Sequence, residues 1–167
     1  ADAVAAAQDG DTITLLKDAE LTSTLNLAKN ITIDGQGKYT IKAANSFTVG
    51  SDNKTYCVLY VSGEVTLKDV TVNGNEKCRV IFCDKGKLTI DGGSLDGKNE
   101  VSCGMGVAEV AVSRPADYGY ALESGMGSVT IDDYSHSGMG VELEVNRSAA
   151  TFYDIECGMG EVTITFN

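Results

Sequence analysis

Residues 64–99 read EVTLKDVTVNGNEKCRVIFCDKGKLTIDGGSLDGKN. One phrase occurs twice within them: VTLKDVTVNGN from Val65 and LTIDGGSLDGKN from Leu88. The threonines Thr66 and Thr89 are 23 residues apart. Each copy alternates apolar and polar residues and closes on a glycine-rich corner. A repeat of this length and make-up has the period of a β-solenoid coil, in which each turn buries its apolar face on the next.

Upstream, Leu21, Leu25, Leu27, Ile31 and Ile33 alternate with polar residues, and Asp34-Gly35-Gln36-Gly37 forms a corner. CVLYVSG at 57–63 is a further strand, and Asp84-Lys85-Gly86-Lys87 a further corner. Residues 44–55 are polar and irregular and stretch the interval from Thr32 to Thr66 to 34 residues. They read as a loop extruded from the scaffold, first of all a tolerated surface insertion, since lengthening a loop costs little, with a binding loop as the alternative. Residues 3–8 are alanine-rich and read as a short helix with Asp2 as N-cap. TITLLKD at 12–18 follows as a strand. A helix ahead of the first strand covers an otherwise open end.

After Asn99 the tripeptide GMG occurs four times, at Gly104, Gly125, Gly138 and Gly158, each time before a strand. The spacings are 21, 13 and 20 residues, of which the 13 breaks the period. Glycine there is expected to supply positive φ at a corner. Met105, Met126, Met139 and Met159 are expected to stack inward, with an outward apolar stripe as the alternative. Thr130 and Thr151, 21 residues apart, read as equivalent positions. Pro115 marks the single proline corner. The chain ends in EVTITFN, which reads as an uncapped edge able to pair with another coil, in an adjacent repeat or in another copy.

The phrases DGDTITLL, NITIDGQG, LYVSGEVTLKDVTVNGN and GKLTIDGGSLDG resemble the right-handed parallel β-helix family, the pectate-lyase-like superfold. They look most like the adhesin-like repeats of bacterial surface and secreted proteins. The GMG-punctuated strands are similar to those of bacterial adhesin domains. The resemblance implies an all-β single domain over 1–167. It has a cap at 1–10, regular coils over 11–100 and GMG-punctuated coils over 101–167. Repeat spacing gives about seven coils and a rod roughly 35 Å long, at ~4.8 Å per coil. The resemblance also implies an extracellular or cell-surface location.

Composition bounds the function. A chain of 167 residues with 43% hydrophobic content builds one real core. Nineteen glycines, one proline and no tryptophan suit many tight corners between short strands. A net charge of −11 argues against nucleic acid and against anionic membrane surfaces, and fits solubility. No apolar run approaches the ~18 residues of a membrane span. The opening ADAVAAAQDG lacks a signal-peptide pattern, consistent with a mature form or an internal fragment.

Five cysteines occur: Cys57, Cys78, Cys83, Cys103 and Cys157. None forms a CxxC, and His136 is the single histidine, which argues against zinc. Cys57 with Cys78, Cys78 with Cys83, and Cys83 with Cys103 are candidate disulfides or assembly cross-links. The odd number leaves at least one thiol free or paired between chains. Small buried residues in a stack are the alternative.

Enzymes of the resembled fold cleave polysaccharides with clustered carboxylates and basic residues. Here Asp34, Asp91 and Asp132 hold the same place in the phrase, and Asp132-Asp133 with His136 is the densest polar group. These three are the ligand-binding candidates. Lys68 interrupts the aspartate row, and arginine-lysine signatures are absent. An aspartate after a strand is first of all a turn former. Calcium held by stacked Asp and Asn is a further option, although the calcium-binding nonapeptide repeat is missing. Thr12, Thr14, Thr22 and Thr24 hint at an ice-binding array that later repeats are not expected to continue. The expectation is a non-enzymatic structural or adhesive module that assembles through its uncapped C-terminal coil. Its partners would be copies of itself, adjacent repeats, or host and surface glycans. A carbohydrate-binding or carbohydrate-cleaving domain, a polysaccharide lyase or glycoside hydrolase, is the alternative.

Overall fold

The computed structural model describes residues 1–75, 77–93 and 98–167, with Lys98 described in its backbone only. The chain opens on a single short helix, Asp2–Ala6 (α1). Its N-cap is Ala1, and Asp2 sits in the first turn, where a carboxylate complements the helix dipole. The cap is therefore one residue earlier than the sequence implied. Lys29 donates to the carbonyl oxygens of Val4, Ala5 and Ala7 at 3.2, 2.8 and 2.6 Å. These carbonyls lie where a helix end leaves acceptors open. Val4 and Ala7 pack on the core, so α1 closes one end of the apolar interior.

The strands then run Thr12–Thr14 (β1), Ala19–Leu21 (β2), Leu25–Leu27 (β3), Ile31–Asp34 (β4), Thr40–Ala43 (β5) and Cys57–Val61 (β6). Next come Glu64–Lys68 (β7), Thr71–Asn73 (β8), Arg79–Cys83 (β9), Lys87–Asp91 (β10), Lys98–Cys103 (β11) and Val107–Val112 (β12). The last six are Tyr118–Ser124 (β13), Ser128–Ile131 (β14), Tyr134–Ser137 (β15), Val141–Val145 (β16), Thr151–Cys157 (β17) and Glu161–Phe166 (β18). The protein is thus all-β apart from α1.

These strands form three sheets among the described residues. Their orders are β1-β4-β7-β10-β12-β18-β14-β15, β16-β13-β17-β11-β9-β6-β3 and β2-β5-β8. The sheets are mixed: two pairs, β14 with β15 and β13 with β16, are antiparallel, and the other pairings are parallel. From β4 to β9 the chain visits the first, third and second sheets in turn, twice over. The opening repeat lies side by side, with Thr66 opposite Thr89. Residues 94–97 of its second copy fall outside the described residues.

Alternation sets the faces. In the first sheet Ile31, Val65, Leu88, Ala108, Val162 and Val129 stand in register, each at most 3% exposed. Ile33, Leu67, Ile90, Val110, Ile164 and Ile131 form a second inward row. All three sheets contribute to the same apolar core. β1 stops at Thr14, short of the expected 12–18, and Leu16 is 81% exposed.

Chain order and spatial order part company after β12. Its neighbour in the first sheet is β18, and β18 in turn pairs with β14. In the second sheet β17 likewise lies between β11 and β13, parallel to both. Residues 113–117, with Pro115, therefore step across a layer that the C-terminal strands fill later. The expected uncapped C-terminal edge is contradicted: β18 is an interior strand. The outer strands at that end are the antiparallel β15 and β16.

The same insertion explains the irregular GMG spacing. The corners at 104, 158 and 125 are neighbours in space, joined by Met159 N–H to Gly104 C=O and Met126 N–H to Gly158 C=O at 2.8 and 2.7 Å. The GMG at 138 is instead the turn between β15 and β16, with φ of +115° at Gly138 and +67° at Gly140. Positive φ is needed only there. At the other three corners the second glycine is required by stacking: a Cβ on Gly160 would lie 2.2 Å from the Gly106 carbonyl oxygen, and one on Gly127 2.5 Å from that of Gly160. Thr130 aligns with Thr163, and Thr151 belongs to the second sheet opposite Tyr118, so the expected equivalence of Thr130 and Thr151 fails.

Residues 44–55 are not simply extruded. Phe47 is buried in the core, and the Thr48 N–H donates to the Thr22 carbonyl at 2.8 Å. Apolar side chains in a polar stretch pulled its first half inward.

Candidate functional site

Asp132 and Asp133 form the two-residue turn between β14 and β15, and Asp132 takes φ of +52°. Arg114 donates to both Asp132 carboxylate oxygens, Nη1 to Oδ2 at 2.9 Å and Nη2 to Oδ1 at 2.7 Å. The Tyr118 hydroxyl donates to Oδ2 at 2.9 Å. The Arg114 hydrogen bonds come first in holding the Asp132 carboxyl below its usual range. His136 stands in β15 opposite Val129, and its Nε2 is buried without a partner among the described residues. The sequence trio thus lies on one hairpin, and Asp132 is engaged by Arg114 and Tyr118. Asp34, Lys68 and Asp91 do stand in one row, followed by Ala111, so the aspartates are interrupted as the sequence implied.

A larger concavity than any at this hairpin lies elsewhere among the described residues. A groove of about 920 Å³ opens beside β8, β9, β11 and β17, lined among others by Tyr56, Asn73, Arg79, Glu100, Phe152 and Asp154. Arg79 organises it. Its guanidinium is ion-paired with Glu100, donates to Asn53 Oδ1 at 3.0 Å and lies 5.9 Å from the Phe82 ring centre. Burial pushes the Glu100 carboxyl up, against the pull of Arg79, and burial likewise raises Asp154. Glu100 and Asp154 are register partners on adjacent strands. The groove thus joins cationic, carboxylate, amide and aromatic surface, a combination suited to a polyhydroxylated ligand. The 44–55 loop does not line the groove but touches it indirectly, through the Asn53 side-chain carbonyl oxygen that accepts from Arg79. The available sequence signal was Arg79 itself, one of three arginines, opening the otherwise apolar strand RVIFC.

All five cysteines are free thiols. Cys83 faces Cys103, and Cys103 faces Cys157, in successive register pairs of the second sheet. The hydrogen bond to Cys103, then burial, pushes the Cys83 thiol up. Burial raises Cys57 to about 12, with Cys78 as a charged neighbour on ionisation. Among the described residues no group of three or more His, Cys, Asp or Glu is placed to hold a metal ion. No described helix is long and apolar enough to cross a membrane.

Two surface rows were misjudged from sequence. The methionines point outward: Met105, Met126, Met139 and Met159 are 48–81% exposed. Threonines do continue along the first sheet, as Thr12, Thr32, Thr66 and Thr89, then, past Glu109, as Thr163 and Thr130. The row lines a shallow cavity of about 260 Å³ at Thr32, Thr66 and Thr89. The charged pairs Glu64–Lys87 and Lys68–Asp91 flank it, so it is not the flat uncharged array that ice binding requires.

Comparison with protein-family models, with curated proteins and with solved structures finds no match for this chain.

Proposed function

We propose that the chain is a non-enzymatic structural and adhesive module built as a right-handed parallel β-helix of about seven coils, acting at a bacterial surface or in the extracellular space. The observation that carries this reading is the unbroken register of seven parallel strands in the first sheet, from β1 to β14, over one shared core. Most of the chain serves this stack, which leaves loops and grooves as its variable surface. The acidic charge of −11 supports work in solvent rather than on nucleic acid.

A second reading, carbohydrate binding, is favoured by the Arg79 groove. Hydroxyl groups pair with guanidinium, carboxylate and amide groups, and sugar faces pack on aromatic rings such as Phe152. Purified chain incubated with immobilised glycans and soluble polysaccharides tests both readings. Retention without release of shortened products is expected. Cleavage products would overturn the non-enzymatic assignment, and failure to be retained on any glycan or cell surface would overturn the adhesive one. Loss of retention in Arg79→Ala places the contact in the groove.

A further inference from the structure

The chain has four methionines, and the fold brings all four to one edge. Met105 lies in the corner before β12, Met159 in the corner before β18, Met126 in the corner before β14, and Met139 in the turn after β15. These strands are consecutive in the first sheet, in the order β12-β18-β14-β15. Backbone hydrogen bonds join each corner to the next. Met159 N–H donates to the Gly104 carbonyl, Met126 N–H to that of Gly158 and Gly140 N–H to that of Gly125, at 2.8, 2.7 and 3.0 Å. Gly138 N–H also donates to the Gly127 carbonyl at 3.2 Å, which sets Met139 opposite Met126. All four side chains are exposed. Lys85 holds the matching place one layer earlier, where Gly106 packs on Gly86, and bounds the row.

Backbone geometry does not account for these methionines. Three of the corners are stacked, whereas the turn at 138–140 has positive φ at both glycines. Two different backbones thus carry the same residue, and what they share is a place in the row. Apolar area does not account for them either. The row is one side chain wide between glycines, while a stable protein interface buries ~800 Å² per partner. The property common to the four positions is a thioether. Its sulfur is soft and polarizable, on an arm of three rotatable bonds. Adjacent strands are ~4.8 Å apart, so sulfurs on neighbouring corners can converge on one ion. Soft sulfur ligands suit Cu(I), and oxygen ligands suit the hard cations. Cys103 and Cys157 end the strands that lead into two of these corners, but they are buried, so an ion arriving from solvent meets the thioethers first. The net charge of −11 favours the approach of a cation.

From this arrangement we propose that the row of Met105, Met159, Met126 and Met139 is a binding site for a soft monovalent cation, Cu(I), held by the sulfurs of neighbouring corners. Binding is coordination alone: no bond of the protein breaks and no electron is transferred. Met126 and Met139 face each other directly and form the first seat, and Met159 and Met105 continue it along the edge. An ion in that seat ties the turn between β15 and β16 to the corner before β14, so occupation stabilises the end of the stack by mass action. This inference does not rest on adhesion or glycan binding, since the row is separate from the Arg79 groove.

The test uses the full chain as Cys78→Ser, which removes the half-buried thiol, with 13C in the methionine methyl groups. Ag(I), a redox-inert stand-in for Cu(I), is added as the nitrate in chloride-free buffer and followed by NMR. The methyl resonances of Met126 and Met139, then those of Met159 and Met105, are expected to shift at near-stoichiometric Ag(I) and to stay in place with Zn(II) or Ca(II). In a second measurement Cu(I) is shared, without oxygen, between the protein and a coloured Cu(I) chelator. The variant Met105→Leu/Met126→Leu/Met139→Leu/Met159→Leu keeps side-chain volume and fold. Changes merely around a metal's ligands cost about 10–100-fold in affinity, so loss of the ligands themselves should weaken Cu(I) by at least as much. Methyl resonances unmoved by Ag(I), or moved equally by Zn(II), would overturn the proposal. So would equal Cu(I) affinity in the leucine variant, which would place the ion on the cysteines instead.

Discussion

Arg114 reaches past the end of β18 to hold Asp132, the two residues following β12 and β14, the strands that β18 separates in the sheet. The contact ties the layer before the insertion to the layer after it. Arg114→Ala should therefore loosen β18 and the β14–β15 turn while leaving β1 to β6 unaffected. Hydrogen exchange resolved by segment checks this: faster exchange confined to residues 128–137 and 161–167 is expected. Uniform acceleration, or none, would show that the pair is only a surface ion pair of little weight.

Core substitutions separate an interior strand from a frayed terminus. Ile164 is 0% exposed, three residues from the C-terminal residue. Ile164→Ala should cost about 2–5 kcal/mol in a chemical denaturation experiment, as large-to-small changes in packed cores do. A cost below about 0.5 kcal/mol, typical of surface sites, would mean that the side chain is not in the core.

Glycine substitutions test the layer order. Gly160→Ala places a Cβ 2.2 Å from the Gly106 carbonyl oxygen, whereas a Cβ on Gly10 meets nothing within 4 Å. Gly160→Ala is expected to destabilise by about 1–3 kcal/mol through overpacking against backbone. Gly10→Ala should cost less, limited to the strain of its φ of +91°. Equal effects would break the stacking of the 104, 158 and 125 corners.

Much of this was legible in the sequence, and the failures share a cause. The 23-residue echo between Thr66 and Thr89 gave the register of β7 and β10 directly, because local alternation decides which face a strand buries. The position of residues 151–167 was not legible. Cys103-Gly-Met-Gly, Ser124-Gly-Met-Gly and Cys157-Gly-Met-Gly are near-identical phrases, and nothing local says that the third fits between the first two. Only the summed packing of both sheets selects that order. The methionines show the same limit: an apolar residue between glycines reads as core, yet the tight corner turns it outward. The Arg79 groove joins residues from four separate strands and the loops between them, so no contiguous motif announced it.

Acidification should act on the insert in two opposite stages. Glu100 and Asp154 are raised by burial, so both bind protons more tightly folded than unfolded. Their penalty is fully present at neutral pH and is relieved as pH falls from there toward the unperturbed carboxylate range near ~4. Asp132 is lowered, first by Arg114, so its contribution is present above that range and is lost as pH falls through its depressed value. Melting temperature is expected to rise on mild acidification and to fall at lower pH. Glu100→Gln should flatten the rise and leave the fall. A monotonic decline from neutral pH would contradict this assignment.

Thiol accessibility reports the cysteine column. Cys57, Cys83, Cys103 and Cys157 are buried, and Cys78 is half-buried. Native protein treated with a maleimide should label at Cys78 first, and the other four only after denaturation, as counted by mass spectrometry. Early labelling of Cys157 would mean that β17 opens far more readily than its neighbours.

Hydrogen exchange of the β18 amides tests most directly whether the end of the chain is the middle of the sheet. With β12 on one side and β14 on the other, the amides of residues 162–165 should exchange as slowly as those of β12, through global unfolding alone. The edge strand β1 should exchange faster. Exchange of β18 at the rate of a frayed terminus, with β12 and β14 still protected, would contradict the insertion.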